Sequence, residues 1–477
     1  MEFSSLYFLY LFLPLTLLAY FLVPGLRLKN IVLLAASLLF YAMGQPVYVL
    51  LLVGLSYANF AMARCIRPGK RNTLLLPVVV NLAVLGLFKY LDFFLGIFGI
   101  TVADGGVMLA ALRGITNGLN SIGFAFRSPT SALPLGLSFY AFQVISYVAD
   151  VYRGKVKAER SFFNLLLYLS MFPKMMQGPI VRYEQVARQL MDRRTTPRAA
   201  FEGAQRFIIG LAKKVLLADY AGKVVASLST GGGNGTFVGA WLAALMFMFQ
   251  IYFDFSGYSD MAIGLGRMIG FEFKENFNYP YISTSVTEFW RRWHMSLGTW
   301  FRDYVYIPLG GNRVKKSRWI RNILVVWALT GFWHGAQWNF LFWGLYYGLL
   351  LLAEKLFLGR LLERLPKAVR WLYTAFFVLI GWVLFDLTDF PSLCHALKLM
   401  FVPQATDWVA AAATNVSLLK AVVYLPLGIV CCLPLLRREP KSAKGILLAN
   451  LASGLLLIVC IVFILSSSYN PFIYFRF

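Results

Sequence analysis

The 477-residue chain is predicted to be an all-α integral membrane protein with about 11–12 membrane-spanning helices and additional re-entrant elements. Apolar residues make up 59% of it and charged residues only 14%, whereas soluble domains contain roughly 45–50% and about 25%. The mean hydropathy is +0.66. The formal net charge is +24. In a chain this apolar, that positive excess indicates membrane orientation and argues against a nucleic-acid partner.

The first predicted span covers residues 6–23, which carry no charge. No Lys or Arg precedes this stretch and no small-residue cleavage site follows it, so we expect a retained span and not a secretory signal. A spanning helix needs roughly 20 apolar residues. On that basis further spans are predicted at about 31–43, 47–63, 73–91, 133–150, 203–227, 237–266, 319–352 (a hairpin of two), 371–388, 419–436 and 446–467.

The basic residues are concentrated along the chain. Thirty of the 45 Lys and Arg lie in seven short stretches, namely 64–71, 153–160, 182–198, 291–302, 313–321, 355–370 and 437–444. The positive-inside rule places these stretches on the cytoplasmic side. Counting crossings from a non-cytoplasmic N-terminus agrees with this rule if 319–352 crosses twice and 162–178 is a re-entrant or interfacial element. The predicted outer loops are 92–131 and 386–417.

Residues 162–178 have the features of a broken helix. The turns Phe172-Pro173-Lys174 and Gln177-Gly178-Pro179 interrupt an apolar run, and irregular backbone is tolerated at membrane depth only where protein or water covers it. The whole chain, residues 1–477, is interpreted as one polytopic domain, with N-terminal spans in 1–130, a core in 131–360 and C-terminal spans in 361–477.

Several kinds of site are not suggested by the sequence. The five cysteines show no C-x-x-C spacing, so we expect neither a disulfide scaffold nor a metal site. The chain also lacks the G-x-x-x-x-G-K-[ST], G-x-S-x-G and H-E-x-x-H motifs. Their absence argues against a nucleotide-driven pump, an α/β hydrolase and a zincin.

Histidine is scarce, with only three copies in the chain. His334 lies in an apolar run, where an ionisable residue is expected to face a bundle interior or a water-filled cavity. Its neutral imidazole suits a general base, and a structural histidine bonded to a neighbouring helix is an equally good interpretation. His395 follows Cys394, but adjacent residues on a helix point in different directions. That geometry argues against a nucleophile pair.

His294 lies in a cationic aromatic stretch that reads Trp-Arg-Arg-Trp-His. Such a stretch is typical of an anchor at the cytoplasmic interface. Arginine forks also match anionic oxygens, so an anionic donor is a second hypothesis for the four arginines of this region, which are Arg291, Arg292, Arg302 and Arg313. The two interpretations are compatible.

Six stretches stand in a distinctive order: 177–183 (QGPIVRY), 254–260 (DFSGYSD), 289–297 (FWRRWHMSL), 300–313 (WFRDYVYIPLGGNR), 331–336 (GFWHGA) and 471–477 (PFIYFRF). Together they resemble the membrane-bound O-acyltransferase (MBOAT) family, and within it the bacterial branch concerned with alginate O-acetylation. The resemblance runs from about residue 134 to the end. It implies a ring of membrane helices around a thinned centre and makes 131–360 the catalytic core.

The resemblance implies acyl transfer from a cytoplasmic thioester to a hydroxyl on the outer side of the membrane. His334 matches the family's catalytic histidine, and His294 matches its second functional position. Our hypothesis is that His334 takes the proton of the acceptor hydroxyl while His294 or Asn339 stabilises the oxyanion. Further candidates for binding donor or substrate are Arg291, Arg292, Arg302, Asp303, Arg313 and Trp333. A covalent acyl-enzyme on Ser or Cys is the competing chemistry.

The implied function is O-acetylation of an exported polysaccharide such as alginate. No bound cofactor is expected, and acetyl-CoA or an acyl-carrier thioester would serve as donor. Expected partners are an extracytoplasmic accessory acetyltransferase or acceptor protein, the polysaccharide, membrane lipid and a cytoplasmic acyl carrier protein. The implied location is the bacterial inner membrane. D-alanyl transfer to teichoic acid and peptidoglycan O-acetylation remain open as alternatives. A transporter is also open, although paired half-repeats are missing.

Overall fold

The computed structural model describes residues 2–100, 106–121, 123, 128, 131–230, 236–403, 416–436, 442–466 and 472. Throughout these stretches the regular elements are helices, which confirms the all-α fold class. They are α1 (Leu13–Leu22), α2 (Gly25–Gly44), α3 (Pro46–Arg64), α4 (Arg71–Leu85), α5 (Leu91–Ile97), α6 (Gly106–Ser121), α7 (Leu137–Tyr152), α8 (Phe162–Ser170), α9 (Phe172–Met175), α10 (Tyr183–Met191), α11 (Pro197–Ala212), α12 (Asp219–Thr230), α13 (Phe237–Met268), α14 (Val286–Arg292), α15 (Met295–Phe301), α16 (Lys316–His334), α17 (Trp338–Ala353), α18 (Gly359–Glu363), α19 (Lys367–Asp386), α20 (Phe390–Phe401), α21 (Val416–Cys431) and α22 (Ala443–Ser466).

The chain divides into two compact units. Unit 1 comprises Met1–Phe207 and Met261–Lys274, and unit 2 comprises Ile208–Asp260 and Glu275–Phe477. The histidines and the surrounding residues discussed below all belong to unit 2. Most of the predicted terminal motif 471–477 lies outside the described residues.

Seven helical segments of the described chain are long and apolar enough to cross a membrane: Gly25–Gly44, Pro46–Arg64, Arg71–Ile97, Phe237–Met268, Trp338–Glu363, Lys367–Asp386 and Lys444–Ser466. Two shorter apolar helices are Phe8–Leu22 and Leu418–Cys431. Only 6% of the apolar window in Lys444–Ser466 is buried by protein, so lipid is the environment that can cover its leucine and isoleucine side chains. The chain is therefore a multi-pass membrane protein.

Two further predicted spans are helical, although they fall outside this set of seven. The stretch at 133–150 corresponds to α7. The stretch at 203–227 corresponds to α11 and α12, which a π-helical turn at Lys213–Ala218 joins.

In unit 1, the structure confirms the prediction of a broken helix at 162–178. Helix α8 ends at Ser170 and the four-residue α9 follows. The backbone N–H of Phe172 donates to Ser37 Oγ at 3.1 Å. Gly136 approaches the same segment with φ +77°, and a Cβ there would lie 2.5 Å from the carbonyl oxygen of Met175. Protein therefore covers the break, as irregular backbone at membrane depth requires.

In unit 2, residues 319–352 form the predicted helical hairpin, with α16 and α17 as its arms. Glycines allow the two arms to approach closely. A Cβ on Gly331 would lie 2.1 Å from the carbonyl oxygen of Phe340, and one on Gly344 would lie 2.3 Å from that of Trp327. His334 is the last residue of α16, so it lies at the bend of the hairpin.

The core of unit 2 is aromatic. Trp293 contacts Trp382 with ring centroids 4.7 Å apart, and Trp343 contacts Phe385 at 5.3 Å. All four side chains are buried. Tilted and edge-to-face pairs of this kind contribute about 0.5–1.5 kcal/mol each beyond the burial of their area. This core holds the end of α14 close to α17 and α19.

Candidate functional site

His294 occupies a sharp turn between α14 and α15. Its φ of 44° and ψ of 52° are left-handed, a conformation that is uncommon for residues other than glycine. Two backbone hydrogen bonds to the preceding segment hold the turn. Met295 N–H donates to the Asn276 carbonyl, and Asn278 N–H donates to the Arg292 carbonyl, both at 2.9 Å. The conformation of His294 is therefore imposed from both sides.

The start of α14 is fixed by the residue directly after the end of α17. The carboxylate of Glu354 accepts from Val286 N–H at 2.7 Å and from Thr287 N–H at 2.8 Å. Ser285 Oγ caps the same helix by accepting from Glu288 N–H at 3.0 Å. These bonds satisfy donors that a helix start leaves free. Sequence reasoning missed Glu354, for which the available signal was an acidic residue in an apolar run.

The side chain of His294 is buried and contacts the amide of Asn276. Its Nδ1 lies 3.2 Å from Asn276 Oδ1. The same oxygen accepts from Ser296 N–H at 3.1 Å and Ser296 Oγ at 2.8 Å, and Asn276 Nδ2 donates to Ser259 Oγ at 3.2 Å. Burial lowers the pKa of His294 to about 3, so its imidazole is neutral at pH 7.

His334 is also buried, in an aromatic environment. Its ring lies 5.0 Å from the Trp343 ring and 5.4 Å from the Phe385 ring, both edge to face. Asn339 follows on α17, and its Nδ2 donates at 3.3 Å to the carbonyl of Phe385, the residue whose ring contacts His334. Its Oδ1 is buried without a hydrogen-bond partner in the described chain.

Trp333 brings the two histidines together. Its indole centroid lies 6.1 Å from the His294 ring and 5.0 Å from the His334 ring. A single buried side chain therefore touches both imidazoles, although they are 40 positions apart in the sequence.

A cavity of about 170 Å³ adjoins His294. It is partly open, and its lining comprises Trp290, Trp293, His294, Leu297, Gly298, Phe301, Arg302, Tyr306, Val326, Trp327 and Thr330. His334 is not among the lining residues. The cavity therefore combines aromatic walls, one neutral imidazole and one guanidinium.

The four predicted arginines occupy different environments. Arg302 lines the cavity and pairs with Asp303 at 2.7 Å, while its side chain stays 60% exposed. Arg292 is held by Glu288 at 2.9 Å. Arg291 and Arg313 are exposed and do not line the cavity. Of the four, Arg302 is therefore the one placed to meet a ligand there.

The third histidine lies outside this arrangement. His395 and its neighbour Cys394 are exposed on α20, and neither lines the cavity. In the part of the chain that the structure describes, no group of three or more His, Cys, Asp or Glu side chains is arranged to hold a metal ion.

The D-F-S-G-Y-S-D stretch contributes a buried ionic cluster that sequence reasoning did not foresee. Lys214 Nζ lies 2.7 Å from Asp219 Oδ1 and 2.8 Å from Asp254 Oδ1. Its neighbour Lys213 pairs with Asp260 at 2.7 Å. Both lysines lie in the π-helical turn before α12. The cluster ties this turn to α13, the helix that also carries Ser259.

Comparison with known proteins places this geometry in context. The profile described as "MBOAT, membrane-bound O-acyltransferase family" matches residues 156–390. A "probable alginate O-acetylase" of Pseudomonas putida is 36% identical over the full length of both chains. A peptidoglycan O-acetyltransferase of Helicobacter pylori is 31% identical over all of this chain and 97% of its own. A teichoic acid D-alanyltransferase of Bacillus subtilis is 29% identical over 50% of this chain and 62% of its own.

Proposed function

Because the chain belongs to the membrane-bound O-acyltransferase family, we propose that it moves an acetyl group from a thioester to hydroxyls of a polysaccharide outside the cytoplasm. One observation carries the choice of acetyl group. Similarity over the whole chain extends to relatives named for O-acetylation, whereas similarity to the D-alanyltransferase covers half of it. Alginate or a similar exopolysaccharide is the proposed acceptor, and peptidoglycan is the second candidate because of the Helicobacter pylori relative.

The proposed chemistry is direct transfer with a histidine base. His334 takes the proton as the acceptor oxygen attacks the thioester carbonyl. When the tetrahedral intermediate collapses, the C–S bond breaks and the imidazolium returns the proton to the leaving thiolate. An ester and a free thiol result. The buried position of His334 among aromatic rings supports this role, since exclusion of water strengthens electrostatic interactions at a reacting centre.

The environment of His294 supports a different role from the oxyanion donor that we predicted from sequence. A neutral imidazole with its proton on Nδ1 has only a lone pair on Nε2. In that state it accepts a hydrogen bond or a proton and has no Nε2–H to donate. The amide of Asn339 is then the better oxyanion donor of the two, because Nδ2 carries a second hydrogen beyond the one given to Phe385.

A donor and partners are proposed to match this chemistry. Acetyl-CoA or an acetylated carrier protein would supply the thioester from the cytoplasm, with Arg302 at the cavity binding its phosphates. An extracytoplasmic protein would relay the acetyl group to the polymer or finish the transfer. Lipid surrounds the spans, and the proposed location is the bacterial inner membrane.

Transfer can be tested with the full-length protein in proteoliposomes supplied with acetyl-CoA labelled on the acetyl group. Thiol release and label on alginate, peptidoglycan fragments or teichoic acid are measured separately. We expect acetyl label on a polysaccharide, loss of transfer in His334→Ala, and normal transfer in the matched control His395→Ala. Wild-type activity in His334→Ala would contradict the assignment of the base.

The same assay separates the competing functions. Transfer of D-alanine from a carrier thioester to teichoic acid, without acetyl transfer, would support the D-alanyl alternative. Label trapped on the protein would support a covalent acyl-enzyme. If neither thiol release nor transfer is detected with any donor or partner, a transporter is favoured.

A further inference from the structure

We propose that Asn276 is a positioning residue that holds His294 in the Nδ1–H tautomer, so that Nε2 presents a lone pair to the reaction. The inference rests on the proposed function for its catalytic meaning. The tautomer itself follows from hydrogen bonding and can be measured without any acyl transfer.

The orientation of the Asn276 amide is fixed by a backbone group. Ser296 N–H can only donate, and it lies 3.1 Å from the Asn276 atom that also faces His294. That atom must therefore be the acceptor, Oδ1, and not the amide nitrogen. The nitrogen on the other side donates to Ser259 Oγ, which agrees with this orientation.

The tautomer of His294 follows from that orientation. Because Asn276 Oδ1 is an acceptor, the imidazole nitrogen 3.2 Å from it, Nδ1, must carry the hydrogen. A neutral imidazole carries one N–H hydrogen, so Nε2 is unprotonated. Nε2 is buried and has no hydrogen-bond partner in the part of the chain that the structure describes. It is available to accept a hydrogen bond or a proton from a substrate hydroxyl.

Asn276 also holds the backbone of His294. Its carbonyl oxygen accepts from Met295 N–H at 2.9 Å, the residue directly after the left-handed His294. One asparagine therefore fixes both the direction of the turn and the identity of the protonated nitrogen. Its bond to Ser259 anchors this arrangement to α13 and the D-F-S-G-Y-S-D stretch.

An amide suits this position better than a carboxylate. An aspartate would accept the same hydrogen bonds, but its charge would favour the imidazolium and raise the pKa of His294. The imidazolium has no lone pair and cannot accept a proton. A neutral partner keeps the His294 imidazole neutral and able to accept a proton across the physiological pH range. A merely structural contact would not require this.

The tautomer can be read by ¹⁵N NMR of histidine-labelled protein, since the chain has three histidines. Spectra of His334→Gln and His395→Gln identify the His294 signals in the full chain. In the wild type we expect His294 to be protonated on Nδ1 and unprotonated on Nε2. In Asn276→Leu we expect a mixture of the two tautomers. A protonated Nε2 in the wild type, or an unchanged signal in folded Asn276→Leu, would overturn the inference.

Kinetics provide the second readout. Asn276→Leu is expected to lower kcat about 100-fold with little change in KM. Asn276→Asp keeps the acceptor and is expected to retain the tautomer, with activity that falls on the acidic side as His294 becomes protonated. Asn322→Leu is the control, because Asn322 is equally buried, donates to the carbonyls of Leu309 and Gly311 and accepts from the Arg321 side chain, so its bonds do not involve His294.

The outcomes of the two readouts are distinct. If the wild type transfers no acyl group but the tautomer responds to Asn276, the proposed function fails and the positioning role stands. If transfer occurs and Asn276→Asp shows the wild-type pH profile, the positioning role fails and the proposed function stands. If Asn276→Leu does not fold, Asn276→Asp decides the question.

Discussion

At the scale of single residues, the two buried histidines differ in what surrounds them. His334 is packed among aromatic rings at the end of a long helix. His294 depends on a strained turn and a polar network through Asn276. A residue held by several separate hydrogen bonds tolerates little change in any of them, so His294 is expected to be the more sensitive of the two to substitutions at its neighbours.

The cavity beside His294 can be blocked through one residue. Gly298 lines it, and a Cβ added there would meet no atom within 4 Å. Gly298→Leu is therefore expected to fold normally and to fill the space where a substrate group would bind, lowering transfer about 100-fold. Gly454→Leu is the matched control, since Gly454 is equally unobstructed on α22 and does not line the cavity.

Thiol release by the two glycine variants would be measured alongside their melting temperatures. A Gly298→Leu protein that melts like the wild type and transfers at the wild-type rate would show that the cavity is not used by the substrates.

At the scale of elements, the short helix α14 depends on residues distant in sequence. The sequence predicted the α16–α17 hairpin because 319–352 must cross twice for the basic stretch 355–370 to lie on the cytoplasmic side. It did not predict that Glu354, just beyond the end of α17, would hold the start of α14, because sequence spacing gives no sign of contacts made 67 and 68 positions away. Asn276 was missed for the same reason.

Glu354→Ala is expected to reduce stability and activity together. It leaves the Val286 and Thr287 N–H groups without their carboxylate, and hydrogen bonds to charged groups contribute about 1.5–3 kcal/mol each. Glu354→Gln keeps one acceptor oxygen and should lie between Ala and wild type. Melting temperature and kcat are the measurements. Glu363→Ala, at an exposed position on α18, is the control and should match the wild type.

If Glu354→Ala melts lower but keeps its kcat, the carboxylate stabilises α14 without positioning His294. That result would restrict its role to folding.

At the scale of the whole molecule, composition predicted the fold class and left the site incomplete. Apolar runs long enough to cross a bilayer can be found by scanning the sequence, and most of the helices and the broken segment at 162–178 were found in that way. The pairing of His294 with Asn276, the contact of both histidines with Trp333 and the cavity depend on three-dimensional packing. The family resemblance selected the two histidines, but the proton on Nδ1 follows only from geometry.

The distribution of basic residues predicts the orientation of the chain, and two native cysteines allow it to be tested. Cys65 lies in the basic stretch 64–71, predicted to be cytoplasmic, and Cys394 lies in the predicted outer loop 386–417. Both are exposed. A membrane-impermeant thiol reagent on intact spheroplasts is expected to label Cys394 alone, and permeabilisation should add Cys65. Cys65→Ser and Cys394→Ser identify each signal, and labelling of Cys65 in intact spheroplasts would reverse the predicted orientation.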